Sequence, residues 1–369
     1  FMEAKPIIAG ISHGDINGIG YEVIIKTLMD PMISELCVPV VYGSPKVAAY
    51  HRKALNINNF SFNNIRSADE ANPKKSNMIN CLDDNVRVEL GKSTPQGGEA
   101  AFASLERGVA DLKSGKLDVL VTAPIDKNNI QSDNFRFSGH TEYLMEKAGV
   151  NDVLMFMVSE SLKIGVATGH VPLREVPDMI TVDLLLRKIR LMNKSLILDF
   201  GIGKPRIAVL GLNPHAGDNS LLGREEEEVI IPAIQQAAKE NILAFGPFPA
   251  DGFFGAGSFS KFDGILAMYH DQGLTPFKAL SFDTGVNFTA GLPFVRTSPG
   301  HGTAFQIAGK GEASESSFRH ALFLACDISR NRQLYAEISR NPLKHQDIDI
   351  HGDRVDELPP EIPNSDPHL

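Results

Sequence analysis

Three apolar runs of this chain finish in a histidine: "ATGH" at His170, "LNPH" at His215 and "MYH" at His270. Each run is rich in Val, Ile or Leu and is too short for a helix once its Gly and Pro are discounted. Buried parallel strands read this way. In open α/β sheets ligands collect outside the carboxyl ends of the strands, where side chains remote in sequence converge. Three imidazoles brought together there suit a divalent transition metal, with a position left open for substrate. One such histidine alone is more simply a hydrogen-bonding loop residue; the repetition is what points to a metal. The spacing is too long for a local motif such as H-E-x-x-H. Asp271 follows His270 directly and could orient it or act as a base, or simply belong to the Gly-Leu-Thr-Pro turn expected after it.

Other stretches carry groups suited to an anion. In "FRFSGHTEYLMEKAG" a helix is expected to start near His140, capped by Ser138 or Thr141, with Tyr143 and Leu144 on its apolar face. A helix N-terminus can meet an anion, and His140 is equally readable as incidental to a cap. In "PFKALSFDTGVNFTAGLPFVRTS" Lys278, Asn287 and Arg296 stand in a segment otherwise poor in charge. Arg as a fork and Lys as a point charge can hold a phosphate; a lone Lys would more often be a surface residue. "SHGDINGIGYE" is Gly-rich after the apolar "PIIAGI" but lacks the G-x-G-x-x-G register of a dinucleotide fingerprint. It is a tight turn, with or without a ligand against its backbone.

These residues need a scaffold, and the sequence supplies strand–helix alternation. Strand-like runs recur at 37–45, 118–127, 164–172, 207–217 and 264–273. Between them, "GGEAAFASLERGVADLKSG" spaces Phe102, Leu105, Val109 and Leu112 as one helical face. "GREEEEVIIPAIQQAAKE" reads as a helix whose acidic start, Glu225–Glu228, is a solvated first turn. An α/β fold with a largely parallel sheet follows. Residues 56–90, dominated by Asn, Ser and Lys, read as peripheral with room for an antiparallel hairpin. The polar, Pro-rich stretch 346–369 reads as a surface tail, which makes His351 and His368 poor site candidates.

At 369 residues the chain is long for one core, so two domains are expected. No apolar run approaches the roughly 18 residues of a membrane span, and no basic stretch precedes a short apolar core as in a secretory signal. Three widely spaced cysteines form no C-x-x-C, which fits a reducing cytoplasm. A net charge of −9 argues against general nucleic-acid binding, though not against a small phosphorylated ligand held by local cations.

Taken in order, "GDINGIGYE", "VTAPIDK", "FSGHTEYL", "TGHVPL", "LNPHAGDN", "GPFPAD", "AMYHDQG", "GVNFTAGLPFVRTS" and "HGTAFQIAGKG" resemble the 4-hydroxythreonine-4-phosphate dehydrogenase (PdxA) family of vitamin B6 biosynthesis, over about residues 6–330. That family is similar in fold to isocitrate and isopropylmalate dehydrogenases. The resemblance implies two α/β/α domains around a cleft: residues 1–135 with 285–345, and residues 136–284 carrying the metal ligands. It implies His170, His215 and His270 as metal ligands; His140, Thr141, Lys278, Asn287 and Arg296 on the substrate; and Asp251 and Asp271 as active-site acids. Counterparts of the wider group's cofactor loops place Gly14, Asp15, Gly18, His301, Gly302 and Thr303 near NAD or NADP. It further implies a homodimer with the site at the subunit interface. The start "GDINGIGYE" departs from the commoner "GEPAGIGPE", which touches fine substrate preference rather than reaction class.

The implied reaction is metal-assisted oxidation of a secondary alcohol by NAD or NADP, followed by decarboxylation of the β-keto acid. A three-histidine site favours Zn²⁺, with Mg²⁺ or Co²⁺ still open. Three rivals remain: a sister dehydrogenase for 4-phospho-threonate or 4-phospho-erythronate, a zinc hydrolase, and a non-catalytic binding protein.

Overall fold

The computed structural model describes residues 5–342; the expected tail lies outside them. The strands are β1 (Ile8–Ser12), β2 (Val38–Gly43), β3 (Asn63–Ile65), β4 (Asn77–Asn80), β5 (Val119–Thr122), β6 (Leu154–Val158), β7 (Lys163–Val166), β8 (Arg206–Leu210), β9 (Leu243–Phe248), β10 (Gly264–Ala267), β11 (Val286–Ala290) and β12 (Val295–Pro299). They form one 12-stranded sheet in the order β3-β4-β2-β1-β5-β12-β11-β6-β7-β10-β8-β9. The chain builds β1 to β5, crosses to lay down β6 to β10, and returns through β11 and β12.

Pairing is parallel from β3 to β12 and from β7 to β9. The antiparallel pairings are β12–β11, β11–β6 and β6–β7, in the middle of the sheet. All five strand-like runs of the sequence are strands of this sheet. The 56–90 segment does not form a hairpin: β3 and β4 both run parallel, extending the sheet edge beyond β2. The loop between them is long enough to carry the chain back for parallel pairing, and Asn77 fixes it, donating from Nδ2 to the carbonyls of Asn72 and Lys75.

Central strands are buried on both faces, as the uninterrupted apolar runs require; β2 and β5 are buried throughout. The helix Pro95–Lys113 starts where the Thr94 side chain accepts from Gly97 N, with Pro95 in its first turn. It lays Leu105, Val109 and Leu112 against β1, β2 and β5. The helix Val182–Leu198 is capped by Thr181 and buries Leu185, Ile189, Met192 and Leu196. The helix Ser316–Ile338 packs over β5, β11 and β12, where Thr297 Oγ1 donates to Ala321 O at 2.7 Å. No helix among the described residues is long and apolar enough to cross a membrane.

Candidate active site

Because β7, β10 and β8 are adjacent and parallel, their carboxyl ends share one edge. Each of the three histidines follows one of them. The rings of His170 and His270 stand 5.2 Å apart between centroids. His270 is not in a turn: it opens the helix His270–Ser281, which runs through Gly273 and Pro276. Tyr269, just before it, is extended, so the chain turns directly from strand end into helix. His270 Nδ1 faces Asp271 Oδ1 at 2.8 Å, which leaves Nε2 for another partner. His215 is exposed on the loop after β8. One chain does not bring it to the other two, and no group of three His, Cys, Asp or Glu among the described residues is arranged to hold a metal.

His170 and His270 line a cavity of about 430 Å³ that lies over the central strands β5, β12, β11, β6 and β7. His140, Thr141, Lys278, Asn287, Arg296, His301 and Gly302 line the same cavity. Segments as far apart in sequence as Thr122 and Gly302 therefore meet here.

Arg296 is the buried charge of this cavity, 2 % exposed. Its guanidinium donates to Thr122 Oγ1 at 2.8 and 3.1 Å and to Thr289 Oγ1 at 3.2 Å. No carboxylate among the described residues pairs with it directly. Burial holds its pKa down to about 10, opposed by the Glu142 charge, so it remains a cation at neutral pH. A buried cation held only by hydroxyls is a ready counter-charge for an anionic ligand.

His140 is the first residue of the helix His140–Ala148. The expected cap by Ser138 or Thr141 is not made: Gly139 occupies the cap position with no side-chain hydrogen bond. Tyr143 and Leu144 are buried, as the pattern required. Burial first, then the charges of Arg296 and Lys127, hold the His140 pKa well below its ordinary value. The imidazole is therefore neutral at physiological pH. Its Nε2, together with Asn287 Oδ1 and His301 Nε2, is shielded from solvent without a hydrogen-bond partner among the described residues. Three unpaired polar atoms in the lining of one cavity are a set of contacts waiting for a polar ligand.

Other expected residues stand elsewhere. Asp251 is exposed on the helix Ala250–Gly255 and does not line the cavity. Asp271 is 81 % exposed and points its carboxylate at His270. Gly14, Asp15 and Gly18 are buried behind the cavity wall rather than open to it. Gly14 has φ +71°, and a Cβ there would sit 2.2 Å from Pro124 O. A Cβ on Gly18 would sit 2.7 Å from Thr303 O. Both glycines are required by close backbone approach. Asp15 accepts from Asn17 N and Asn129 Nδ2, and its N–H donates to Pro124 O. Ile19 N donates to Thr303 O at 3.0 Å, so the two loops expected near the cofactor do adjoin.

Residues that the sequence did not single out complete the arrangement. Thr122 and Thr289 orient Arg296. Gln272 accepts from Met268 N and donates to Gly211 O, tying the end of β10 to the end of β8. Lys188, on a helix flanking the cavity, pairs with Asp152 and donates to Val153 O at 2.7 Å. Glu226 is buried, against the expectation of a solvated first turn. It stands in a π-turn, Glu226–Ile230, and its carboxylate accepts from Leu212 N and Asn213 N, both at 2.7 Å.

Residues 35–325 match the family model described as "Pyridoxal phosphate biosynthetic protein PdxA". The chain belongs to the PdxA family. A 4-hydroxythreonine-4-phosphate dehydrogenase of Bacteroides thetaiotaomicron is 54% identical, over 94% of this chain and 95% of that protein. A protein of Oceanobacillus iheyensis provisionally named a D-threonate 4-phosphate dehydrogenase is 41% identical, over 89% of this chain and 99% of its own length. The crystal structure of a 4-hydroxythreonine-4-phosphate dehydrogenase from Klebsiella pneumoniae matches with a TM-score of 0.77 and 34% identity, over 89% of this chain and 99% of that one. As a PdxA-family member the protein is an oxidoreductase with the isocitrate-dehydrogenase-like α/β fold expected from its motifs.

Proposed function

We propose that this protein oxidises the secondary hydroxyl of 4-phosphohydroxy-L-threonine with NAD or NADP. The resulting 2-amino-3-oxo-4-phosphooxybutanoate then loses carbon dioxide to give 3-amino-2-oxopropyl phosphate. This places the protein in pyridoxal 5′-phosphate biosynthesis, in the cytoplasm. The observation that carries the reading is the sharing of one cavity by a buried Arg296, Lys278, the His170–His270 pair and unpaired polar atoms of His140 and Asn287.

Within that cavity Arg296 and Lys278 bind the substrate phosphate, and Asn287 and Thr141 fix its register. His140, neutral, hydrogen-bonds the substrate without competing for its negative charge. Removal of the cavity's water strengthens these contacts. The donor set at the histidine edge is imidazole nitrogen, which fits Zn²⁺ or Co²⁺ better than Mg²⁺. His170 and His270 would hold the ion, and His215 would complete the set across a homodimer interface. Such an ion polarises an alcohol and lowers its pKa, and a nicotinamide accepts the hydride. Asp271 orients His270; Asp251, outside the cavity of one chain, would serve as a proton acceptor only from across the homodimer interface. His301, Gly302 and Thr303 form the rim expected to meet the dinucleotide: Gly302 leaves open space where a side chain would stand, while Gly14, Asp15 and Gly18 support that rim from behind.

A second reading is a sister dehydrogenase for a phosphorylated sugar acid, favoured by the D-threonate 4-phosphate dehydrogenase name of a relative at 41% identity. The phosphate and metal contacts would be shared. The test is steady-state formation of reduced nicotinamide with 4-phosphohydroxy-L-threonine and with D-threonate 4-phosphate, each with NAD and NADP, after chelation and separate metal add-back. Higher kcat/KM on the amino acid supports the first reading, and the reverse order supports the second. Turnover at the full rate without any metal would remove the histidines' assigned role.

A further inference from the structure

The loop that carries His215 is folded in an unfavourable way. His215, Ala216, Asp218, Asn219 and Ser220 all have φ between 44° and 67°, with Gly217 at 83° in their midst. L-residues avoid this left-handed region, and a run of them persists only where the surroundings over-determine it. Besides the loop's own bonds, such as Ala216 N to Asn213 O and Leu222 N to Gly217 O, the main surrounding group is the Glu226 carboxylate. Glu226 Oε1 accepts from Leu212 N and Asn213 N, and Oε2 accepts from Asn213 Nδ2 at 3.0 Å. Two glycines make room for it. A Cβ on Gly217 would lie 2.7 Å from Glu226 Oε2, and one on Gly211 would lie 3.2 Å from Oε1. The carboxylate thus sits inside the loop, and the π-turn at Glu226–Ile230 sets its position along the helix. Asn213 also donates to Glu225 Oε2 at 2.7 Å, which closes the loop onto the helix start.

From this geometry we infer that Glu226 is a positioning residue for His215: it fixes the direction in which the imidazole leaves the sheet edge. The inference rests on the proposed role of His215 as a metal ligand. Glu226 itself touches neither substrate nor metal. Its contribution is to hold two main-chain amides whose placement sets the entry to the left-handed turn, so that ion binding does not have to order the loop.

The test compares the wild-type protein with H215A, E226A and E226Q, each titrated with Co²⁺ and followed by the visible absorption of the bound ion. Melting temperature establishes folding, and stabilisation by inorganic phosphate reads the Arg296 end independently. Loss of a partner that orients a ligand typically weakens metal binding by about 10- to 100-fold. E226A is expected to lose that much Co²⁺ affinity with phosphate stabilisation unchanged, and kcat is expected to fall more than KM rises. E226Q keeps an acceptor for the two amides and is expected to recover part of the affinity; it also serves if E226A does not fold. Wild-type Co²⁺ affinity in both Glu226 variants, alongside loss in H215A, would overturn the positioning role and leave the ligand assignment standing. Wild-type affinity in H215A would overturn both.

Discussion

The two ends of the cavity are built differently. At the Arg296 end the cation is set within one chain: the guanidinium is buried, three of its five N–H donors go to Thr122 and Thr289 and the other two are left for a ligand, and β5, β11 and β12 hold it in the sheet. At the histidine end two rings face each other on exposed loops and helix starts, and the third stands apart. The difference teaches which part of the chemistry is prepaid by folding. On the proposed function, anion binding is preorganised in the core and metal binding is left to the sheet edge.

The comparison can be broken most severely at Arg296. Replacement by Met removes the buried cation from the proposed phosphate contact, and kcat/KM is expected to fall by about 10³-fold or more, since a buried charge-assisted contact is lost with its partner left unpaired. Arg296→Lys is expected to recover little, because the fork that reaches two threonines is gone. Inorganic phosphate should no longer raise the melting temperature of either variant. Retained phosphate stabilisation in both would assign the anion to another site.

Next in size is His270→Ala. Metal-dependent turnover is expected to fall by about 10²-fold or more, while phosphate stabilisation stays as in the wild type. Parallel loss of both signals would mean that the two ends are not separable.

A pH experiment sharpens the contrast between core and edge. His13 and His51 flank Tyr21 in a stack of rings, with centroids 5.1 and 4.9 Å apart. Burial holds His13 down to about 3 and His51 down to about 4. The unfolded chain binds protons on both below about pH 6.5, and the folded chain does not until near those lowered values. Stability is therefore full above pH 6.5 and falls as the pH drops, by at most about 1.4 kcal/mol per pH unit for each imidazole. His51→Gln keeps a donor for Ile16 O, which His51 Nε2 meets at 2.8 Å, and should flatten the decline in denaturant midpoint between pH 6.5 and 4.5. An unchanged slope would assign the acid sensitivity elsewhere.

The smallest effect is expected at Asp271→Asn. The His270 ring keeps a hydrogen-bond partner but loses a charge, so activity should drop by about 10-fold or less, with Co²⁺ affinity moving in step. A drop as large as that of His270→Ala would make Asp271 a reacting group rather than an orienting one.

Much of this arrangement was legible in the sequence because it follows from periodicity and composition. The apolar runs gave the strands, and the helical spacing of Leu105, Val109 and Leu112 marked the face that is buried. What escaped depended on long-range pairing. Nothing local to 56–90 reveals that β3 and β4 pair in parallel. Glu226 reads as solvated beside three other glutamates, because its amide partners lie on a loop more than ten residues earlier. His270 read as a strand end followed by a turn, because Gly273 and Pro276 weaken the helical signal. Gly14 and Gly18 read as a tight turn with or without a ligand against it, and the close neighbours in the chain itself are the Pro124 and Thr303 carbonyls. A glycine reports close approach, but not what approaches.

Asn287 and Arg296 belong to adjacent strands, β11 and β12, paired through Val286↔Pro299, Asn287↔Ser298 and Phe288↔Thr297. This ribbon is also where the parallel array ending in β12 meets the antiparallel middle of the sheet. A lineage changing its taste in substrates has little freedom here, since altering the anion handle also disturbs the seam of the molecule. On the proposed role of Arg296, divergence should instead accumulate on the outlying loops.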